Sequence, residues 1–157
     1  MGKPLKEIYG NAFAEMAKLS RAAAKIDTDS VYEEANLNTR KFMTKILDDN
    51  VLPGSGLGNI ENFKELYEKV TKEGKSGLIL MEHYTNLDLP MILYLLEKQG
   101  EPWAKDLAER IVAIAGMKLN EAGALERAFT EAFTRVVIYP TRSLLAMKDK
   151  GFSEEEI

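Results

Sequence analysis

The chain has 157 residues, of which 45% are hydrophobic and 29% are charged, and this balance is typical of a folded globular protein. Its formal net charge of -4 at pH 7 gives it no general attraction to nucleic acids, so we expect no nucleic-acid partner. Because the chain contains no cysteine, disulfide frameworks, thiolate zinc sites and cysteine nucleophiles are excluded.

The N-terminal region, residues 1–52, is predicted to be helical. Apolar side chains recur on one side of Asn11–Ile26 and of Val31–Asp49, and the intervening residues Asp27 to Ser30 are good helix caps. We therefore expect a helical hairpin. A proline and three glycines follow within residues 53–59, and we interpret this segment as a linker because it cannot continue a helix.

Helices and strands are predicted to alternate in the remaining residues, 60–157. Apolar runs predict strands at Gly77–Glu82, Arg110–Ala115 and Arg135–Tyr139. Segments with apolar residues at helical spacing predict the helices Ile60–Glu73, Leu87–Lys98, Trp103–Glu109, Glu121–Phe133 and Leu144–Lys148. Because such alternation is typical of parallel strands joined by crossover helices, we predict an α/β fold in which the helical hairpin precedes a partial, mainly parallel sheet.

The only histidine of the chain, His83, follows the first predicted strand, and Asp88 lies five residues later at the start of a predicted helix. A histidine is suited to act as a general base near neutral pH, and a carboxylate on one ring nitrogen fixes its orientation. The spacing predicts that Asp88 folds back onto His83 and leaves the other ring nitrogen open to a substrate. On spacing alone, a purely structural histidine stays an open alternative.

The segment His83 to Asp88, HYTNLD, fits the HxxxxD signature of the glycerolipid acyltransferases. It is most similar to the soluble plastid-type glycerol-3-phosphate acyltransferases, in which a helix and an apolar strand precede this motif and a proline with an apolar helix follows it. The later second and third strands, and the basic segment after the third, also resemble this family. The matching segments are Phe63–Gly74, Gly77–Met81, Pro90–Leu96, Val112–Leu119 and Arg135–Ser143.

This resemblance implies an enzyme of phospholipid biosynthesis that moves a fatty acyl group from a thioester to the hydroxyl of glycerol 3-phosphate or lysophosphatidate. The thioester, an acyl-CoA or an acyl-carrier protein, is a co-substrate, and no metal or bound cofactor is required. His83 would deprotonate the acceptor hydroxyl and Asp88 would orient His83. Arg142 and Ser143 would bind the substrate phosphate, because they fall where the family has phosphate-binding residues.

The family's later arginine-containing block has no match in this chain, since Tyr139–Ser143 lacks the Glu-Gly pair of that block. We therefore expect an N-terminal fragment of a longer acyltransferase, with an α/β domain that is incomplete at its C-terminus. Two alternatives stay open. One is a catalytically incomplete fragment or pseudoenzyme that binds acyl chains or a partner, and the other is a phosphate-ester hydrolase or phosphate binder built on the same sheet edge.

The sequence also bears on cellular location. No stretch approaches the roughly 18 consecutive apolar residues needed to span a bilayer, and the charged N-terminal residues do not resemble a signal peptide. We therefore expect a cytoplasmic protein that is soluble or makes peripheral contact with a membrane.

Overall fold

The computed structural model describes residues 4–21, 31–117, 119, 123–149 and 151–155. Over these residues the chain is a helix-rich α/β protein with seven bounded helices and one three-stranded sheet. The elements in chain order are α1 (Leu5–Leu19), β1 (Tyr32–Glu33), α2 (Leu37–Asn50), α3 (Ile60–Lys72), α4 (Asp88–Glu97), α5 (Pro102–Arg110), β2 (Ala113–Gly116), α6 (Ala124–Glu131), β3 (Arg135–Ile138) and α7 (Thr141–Asp149).

The chain forms two compact units. One unit combines residues 1–42 with residues 112–157, and the other consists of residues 43–111. The first unit holds the whole sheet, whereas the second contains α3, α4 and α5. The division of the sequence into residues 1–52, 53–59 and 60–157 stays a prediction.

The three strands of the first unit form one sheet in the order β1-β3-β2. β2 and β3 are parallel, with Ala113 opposite Arg135, whereas β1 is antiparallel to β3, with Tyr32 opposite Val136. The predicted α/β class is therefore confirmed, although the sheet is mixed, with one strand pair of each kind. The prediction of a helix from Val31 is wrong at its start, because pairing with β3 draws the residues of β1 into an extended conformation.

Two N-terminal helices are present, but their predicted hairpin is not confirmed. The first begins at Leu5 instead of Asn11 and ends at Leu19, and residues 22–26 of its predicted range lie outside the described residues. α1 packs against α6, where the ring of Phe13 meets the edge of Phe129 with the ring centroids 5.5 Å apart. α2 begins at Leu37 and is capped by Asn36, whose Oδ1 accepts a hydrogen bond from the Asn38 N–H at 3.1 Å. The predicted caps, Asp27 to Ser30, lie outside the described residues.

A buried carboxylate connects three segments of the first unit. The side chain of Glu131, at the end of α6, accepts two hydrogen bonds from the Arg21 N–H, at 2.8 and 2.9 Å. It also accepts a hydrogen bond at 2.9 Å from the Asn36 amide, which in turn donates to the Leu19 carbonyl at 3.0 Å. Because all of these donors point at one carboxylate, the end of α1 and the start of α2 are both held against α6.

The second unit is helical. α3 and α4 both pack against α5. At the contact between α3 and α5, the ring centroids of Tyr67 and Trp103 lie 6.2 Å apart. Leu93, Leu96 and Leu107 are buried in its core. The three helices agree closely with their predicted bounds, because each carries an apolar face at helical spacing. None of the helices formed by the described residues is both long and apolar enough to cross a bilayer.

The segment Gly77–Glu82 forms neither a strand nor a helix, so the prediction of a first strand there is wrong. Its backbone makes no hydrogen bond to another backbone group within the described part of the chain. An apolar run favours an extended conformation, yet a strand forms only where a second backbone supplies its hydrogen bonds. As a result, Leu78 and Leu80 are 72% and 84% exposed.

Candidate active site

The candidate site lies between the segment Gly77–Glu82 and the start of α4. Asp88 occupies the first turn of the helix, and its N–H donates to the Thr85 carbonyl at 3.2 Å. The Thr85 hydroxyl accepts a hydrogen bond from the Leu87 N–H at 3.1 Å, as expected for a threonine placed just before a helix. The turn is thus fixed by local hydrogen bonds, and it directs the Asp88 carboxylate back toward the residues that precede it.

The Asp88 carboxylate is the centre of the site. One of its oxygens, Oδ2, accepts hydrogen bonds from the backbone N–H groups of Tyr84, at 2.6 Å, and Thr85, at 2.8 Å. The other, Oδ1, accepts one from the Thr85 hydroxyl at 2.9 Å. The Nδ1 atom of His83 lies 3.1 Å from Oδ2, so the contact predicted from the five-residue spacing is present in the structure.

The electrostatics of the site keep this carboxylate ionised. The hydrogen bond from the Thr85 N–H is the largest influence that lowers the pKa of Asp88 below its ordinary value. The Thr85 hydroxyl, the Tyr84 N–H and His83 lower this pKa further, while partial burial opposes them. Asp88 is therefore a charged acceptor at neutral pH, suited to hold the proton-bearing Nδ1 of His83.

His83 itself is accessible. Its side chain is 71% exposed, whereas that of Asp88 is 18% exposed. When the Nδ1–H of a neutral imidazole donates to a carboxylate, the free lone pair lies on Nε2. The pair therefore combines a fixed, shielded carboxylate with an imidazole whose Nε2 is able to accept a proton from a molecule in solution.

Glu82, directly before His83, is a second carboxylate near the site. It accepts a hydrogen bond from the Tyr84 hydroxyl, and this bond is the main reason why the pKa of Tyr84 is raised. The side chains of Glu82 and Tyr84, which flank His83 in the sequence, are therefore joined to each other. The sequence analysis predicted neither this pair nor the two hydrogen bonds that Thr85 donates to Asp88.

Arg142 and Ser143, the predicted phosphate-binding residues, lie in the first turn of α7. Arg142 is exposed, and the Ser143 N–H donates to the Pro140 carbonyl at 2.7 Å. They belong to the compact unit that holds the sheet, whereas His83 and Asp88 belong to the unit formed by residues 43–111. Their role in binding phosphate stays a prediction.

Groups of three or more His, Asp, Glu or Cys side chains that could hold a metal ion are absent from the described residues. Comparisons with protein-family models, with curated proteins and with solved structures found no match to this chain.

Proposed function

We propose that the protein is an acyltransferase that moves a fatty acyl group from an acyl-CoA or acyl-carrier-protein thioester to the hydroxyl of glycerol 3-phosphate or a related lipid alcohol. The observation that carries the proposal is the 3.1 Å contact between His83 Nδ1 and Asp88 Oδ2 across an HxxxxD spacing. The surrounding donors support it, because they hold Asp88 in place before any substrate arrives.

In the proposed reaction, His83 Nε2 removes the proton from the acceptor hydroxyl while the hydroxyl oxygen attacks the carbonyl carbon of the thioester. The resulting tetrahedral intermediate collapses by cleavage of the carbon–sulfur bond, and the departing sulfur takes the proton from the imidazolium. Asp88 stabilises the imidazolium between these two steps. General base catalysis of this kind contributes about 10² to 10⁴ in rate.

The proposed phosphate contacts are those of Arg142 and Ser143. The planar guanidinium of an arginine can bind two phosphate oxygens at once, and a serine hydroxyl can donate to a third. The exposed position of Arg142 in the first turn of a helix supports this role, because the partial positive charge of a helix N-terminus also favours an anion. The parallel pair of β2 and β3, with α6 between them in the chain, fits the proposed crossover arrangement.

The central experiment follows acyl transfer from acyl-CoA and from acyl-carrier protein to glycerol 3-phosphate. We expect thioester-dependent product from the unaltered chain, and a loss of about 10² or more in rate for His83→Ala and Asp88→Asn. Asp49→Asn is the matched control, because it removes a carboxylate on the exposed side of α2 that pairs with Lys45. Undiminished turnover in both site variants, or thioester binding without turnover by the unaltered chain, would refute the proposal.

The phosphate contact has its own test. Arg142→Ala should raise the KM for glycerol 3-phosphate more than it lowers kcat, because a contact to a remote phosphate is present both before and during the reaction. Lys148→Ala, at the other end of α7, removes the same charge from the same helix and should leave KM unchanged. Equal effects of the two substitutions would show that only overall charge matters.

A further inference from the structure

His83 is open to water as well as to a dissolved substrate. Its side chain is 71% exposed, and Nε2 is the ring nitrogen left for a molecule in solution, because Nδ1 lies 3.1 Å from the Asp88 carboxylate. A site that excludes water protects an activated acyl group from hydrolysis. The residues from Glu82 to Asn86 are all exposed, so they give His83 no such protection.

The two hydroxyl groups nearest to His83 in the sequence are both engaged in hydrogen bonds. The Thr85 hydroxyl donates to Asp88 Oδ1 at 2.9 Å and accepts a hydrogen bond from the Leu87 N–H at 3.1 Å. The Tyr84 hydroxyl donates to Glu82. Each of these protons is thus bound to a carboxylate, and the chain has no cysteine. A nucleophile activated by His83 therefore comes from solution, and water is the most abundant one.

We infer that the protein also hydrolyses acyl thioesters by direct attack of water, an activity that rests on the proposed role of His83 as a general base toward a thioester. His83 Nε2 takes a proton from water while the water oxygen bonds to the carbonyl carbon. The tetrahedral intermediate then breaks at its carbon–sulfur bond, and the sulfur takes the proton from the imidazolium. The products are a carboxylic acid and a thiol, and no acyl group is bound to the protein at any step.

The chemistry of the site selects the class of substrate. The contact between His83 and Asp88 supplies a general base and a carboxylate that stabilises its protonated form. A thiol is far more acidic than an alcohol, so a thiolate departs from the tetrahedral intermediate more easily than an alkoxide does. Thioesters such as acyl-CoA are therefore the expected substrates, in preference to ordinary oxygen esters and amides.

The first test measures the release of thiol from octanoyl-CoA in a buffer that contains no alcohol. A thiol-reactive dye records the product without background from the protein, because the chain has no cysteine. We expect release at least about tenfold faster than with free imidazole at the same concentration, because Asp88 holds His83 in one orientation. Release no faster than with free imidazole would overturn the inference.

The second test assigns the activity to His83. His83→Ala should lower thiol release to the rate in buffer alone, and added imidazole should restore part of it, because a small base can reach this exposed position. Gln99→Ala is the matched control, since it shortens another exposed, uncharged polar side chain in the same compact unit and should release thiol at the full rate. Undiminished release in His83→Ala would overturn the inference.

The third test identifies the nucleophile. Protein that is quenched with acid during turnover should carry no acyl group when its mass is measured. Accumulation of an octanoyl group on Tyr84 or Thr85 would show that a side chain attacks the thioester, and direct attack by water would then be wrong.

Hydrolysis and acyl transfer can fail separately in these assays. Thiol release that depends on His83, with no acylated product when glycerol 3-phosphate is supplied, would support hydrolysis and refute the proposed acyltransferase. Acyl transfer to glycerol 3-phosphate, with no thiol release when the acceptor is left out, would support the acyltransferase and overturn the inference of hydrolysis.

Discussion

Arg135 on β3 forms an ion pair with Glu33, the residue directly opposite it on β1, at a point where the arginine side chain is only 1% exposed. Burial lowers the pKa of the Arg135 guanidinium, while the charges of Glu33 and Glu131 oppose this shift. The Nε and Nη1 atoms of Arg135 have no hydrogen-bond partner among the described residues. The ion pair with Glu33 is therefore the main interaction that offsets the lost hydration of the Arg135 guanidinium.

Removal of the Glu33 charge should destabilise the first unit strongly. Glu33→Gln leaves a buried guanidinium without its ionic partner, and we expect a loss of about 3 kcal/mol in the free energy of unfolding measured with urea. Glu34→Gln, which changes the adjacent and exposed residue in the same way, should cost less than about 0.5 kcal/mol. If both variants unfold at the same urea concentration, the ion pair does not stabilise the sheet.

The Glu131 carboxylate should be similarly sensitive. Glu131→Gln keeps the shape of the side chain, but the new amide group presents hydrogens toward the Arg21 N–H or the Asn36 amide, which are themselves donors. We expect a loss of about 1–3 kcal/mol, the usual cost of a buried donor left without an acceptor. Glu126→Gln, at an exposed position of the same helix, is the control for calorimetric or urea unfolding. A change in stability no larger than that of the control would contradict this account.

The hydrogen bonds that the Asp88 carboxylate accepts should determine the pH at which it titrates. Thr85→Val removes the hydroxyl donor but keeps the backbone donor, so the pKa of Asp88 should rise toward its ordinary value. Because the natural pKa is lowered, the interaction stabilises the folded chain above the unfolded pKa, and this contribution is lost as pH falls through the folded pKa. Protonation of Asp88 can be followed by NMR, because His83, the only histidine of the chain, lies against it and should show a change in chemical shift at acid pH.

Thr71→Val is the control for this titration, because the Thr71 hydroxyl donates to the Tyr67 carbonyl and does not contact Asp88. The acid step of the His83 resonance should occur at the same pH in this variant and in the natural chain. A step that does not move in Thr85→Val either would show that the hydroxyl has no influence on the carboxylate.

Tyr94 provides a prediction at alkaline pH. Its hydroxyl donates to Asp48 at 2.7 Å, and this hydrogen bond is the main reason that the pKa of Tyr94 is raised, while Lys98 partly opposes the shift. Asp48→Asn should therefore lower the pH at which Tyr94 ionises. The ultraviolet absorbance of tyrosinate, compared with a Tyr94→Phe reference, isolates this group from the other five tyrosines. Asp49→Asn should leave the pH of Tyr94 ionisation unchanged. An equal shift in Asp48→Asn and Asp49→Asn would contradict the view that the hydrogen bond to Asp48 raises the pKa of Tyr94.

Local features could be predicted from the sequence, whereas features that depend on distant residues could not. The bounds of α4 and the contact between His83 and Asp88 follow from side-chain spacing within a few residues, because the turn between them is closed by its own hydrogen bonds. Whether residues 77–82 form a strand, and whether β1 forms at all, depends on which distant backbone is available for pairing. No local pattern encodes that choice, since an apolar run has the same propensity with or without a partner.

The sheet also constrains how the chain folds during synthesis. β1 pairs with a strand that lies about a hundred residues later in the chain, so closing this contact carries a large loop entropy. The helices α3, α4 and α5 find their packing partners within residues 43–111, and they are complete before β3 has been made. On a ribosome, therefore, the middle of the chain is able to fold first, and the N-terminal segment must wait for Arg135 and Val136 to emerge before β1 gains its neighbour.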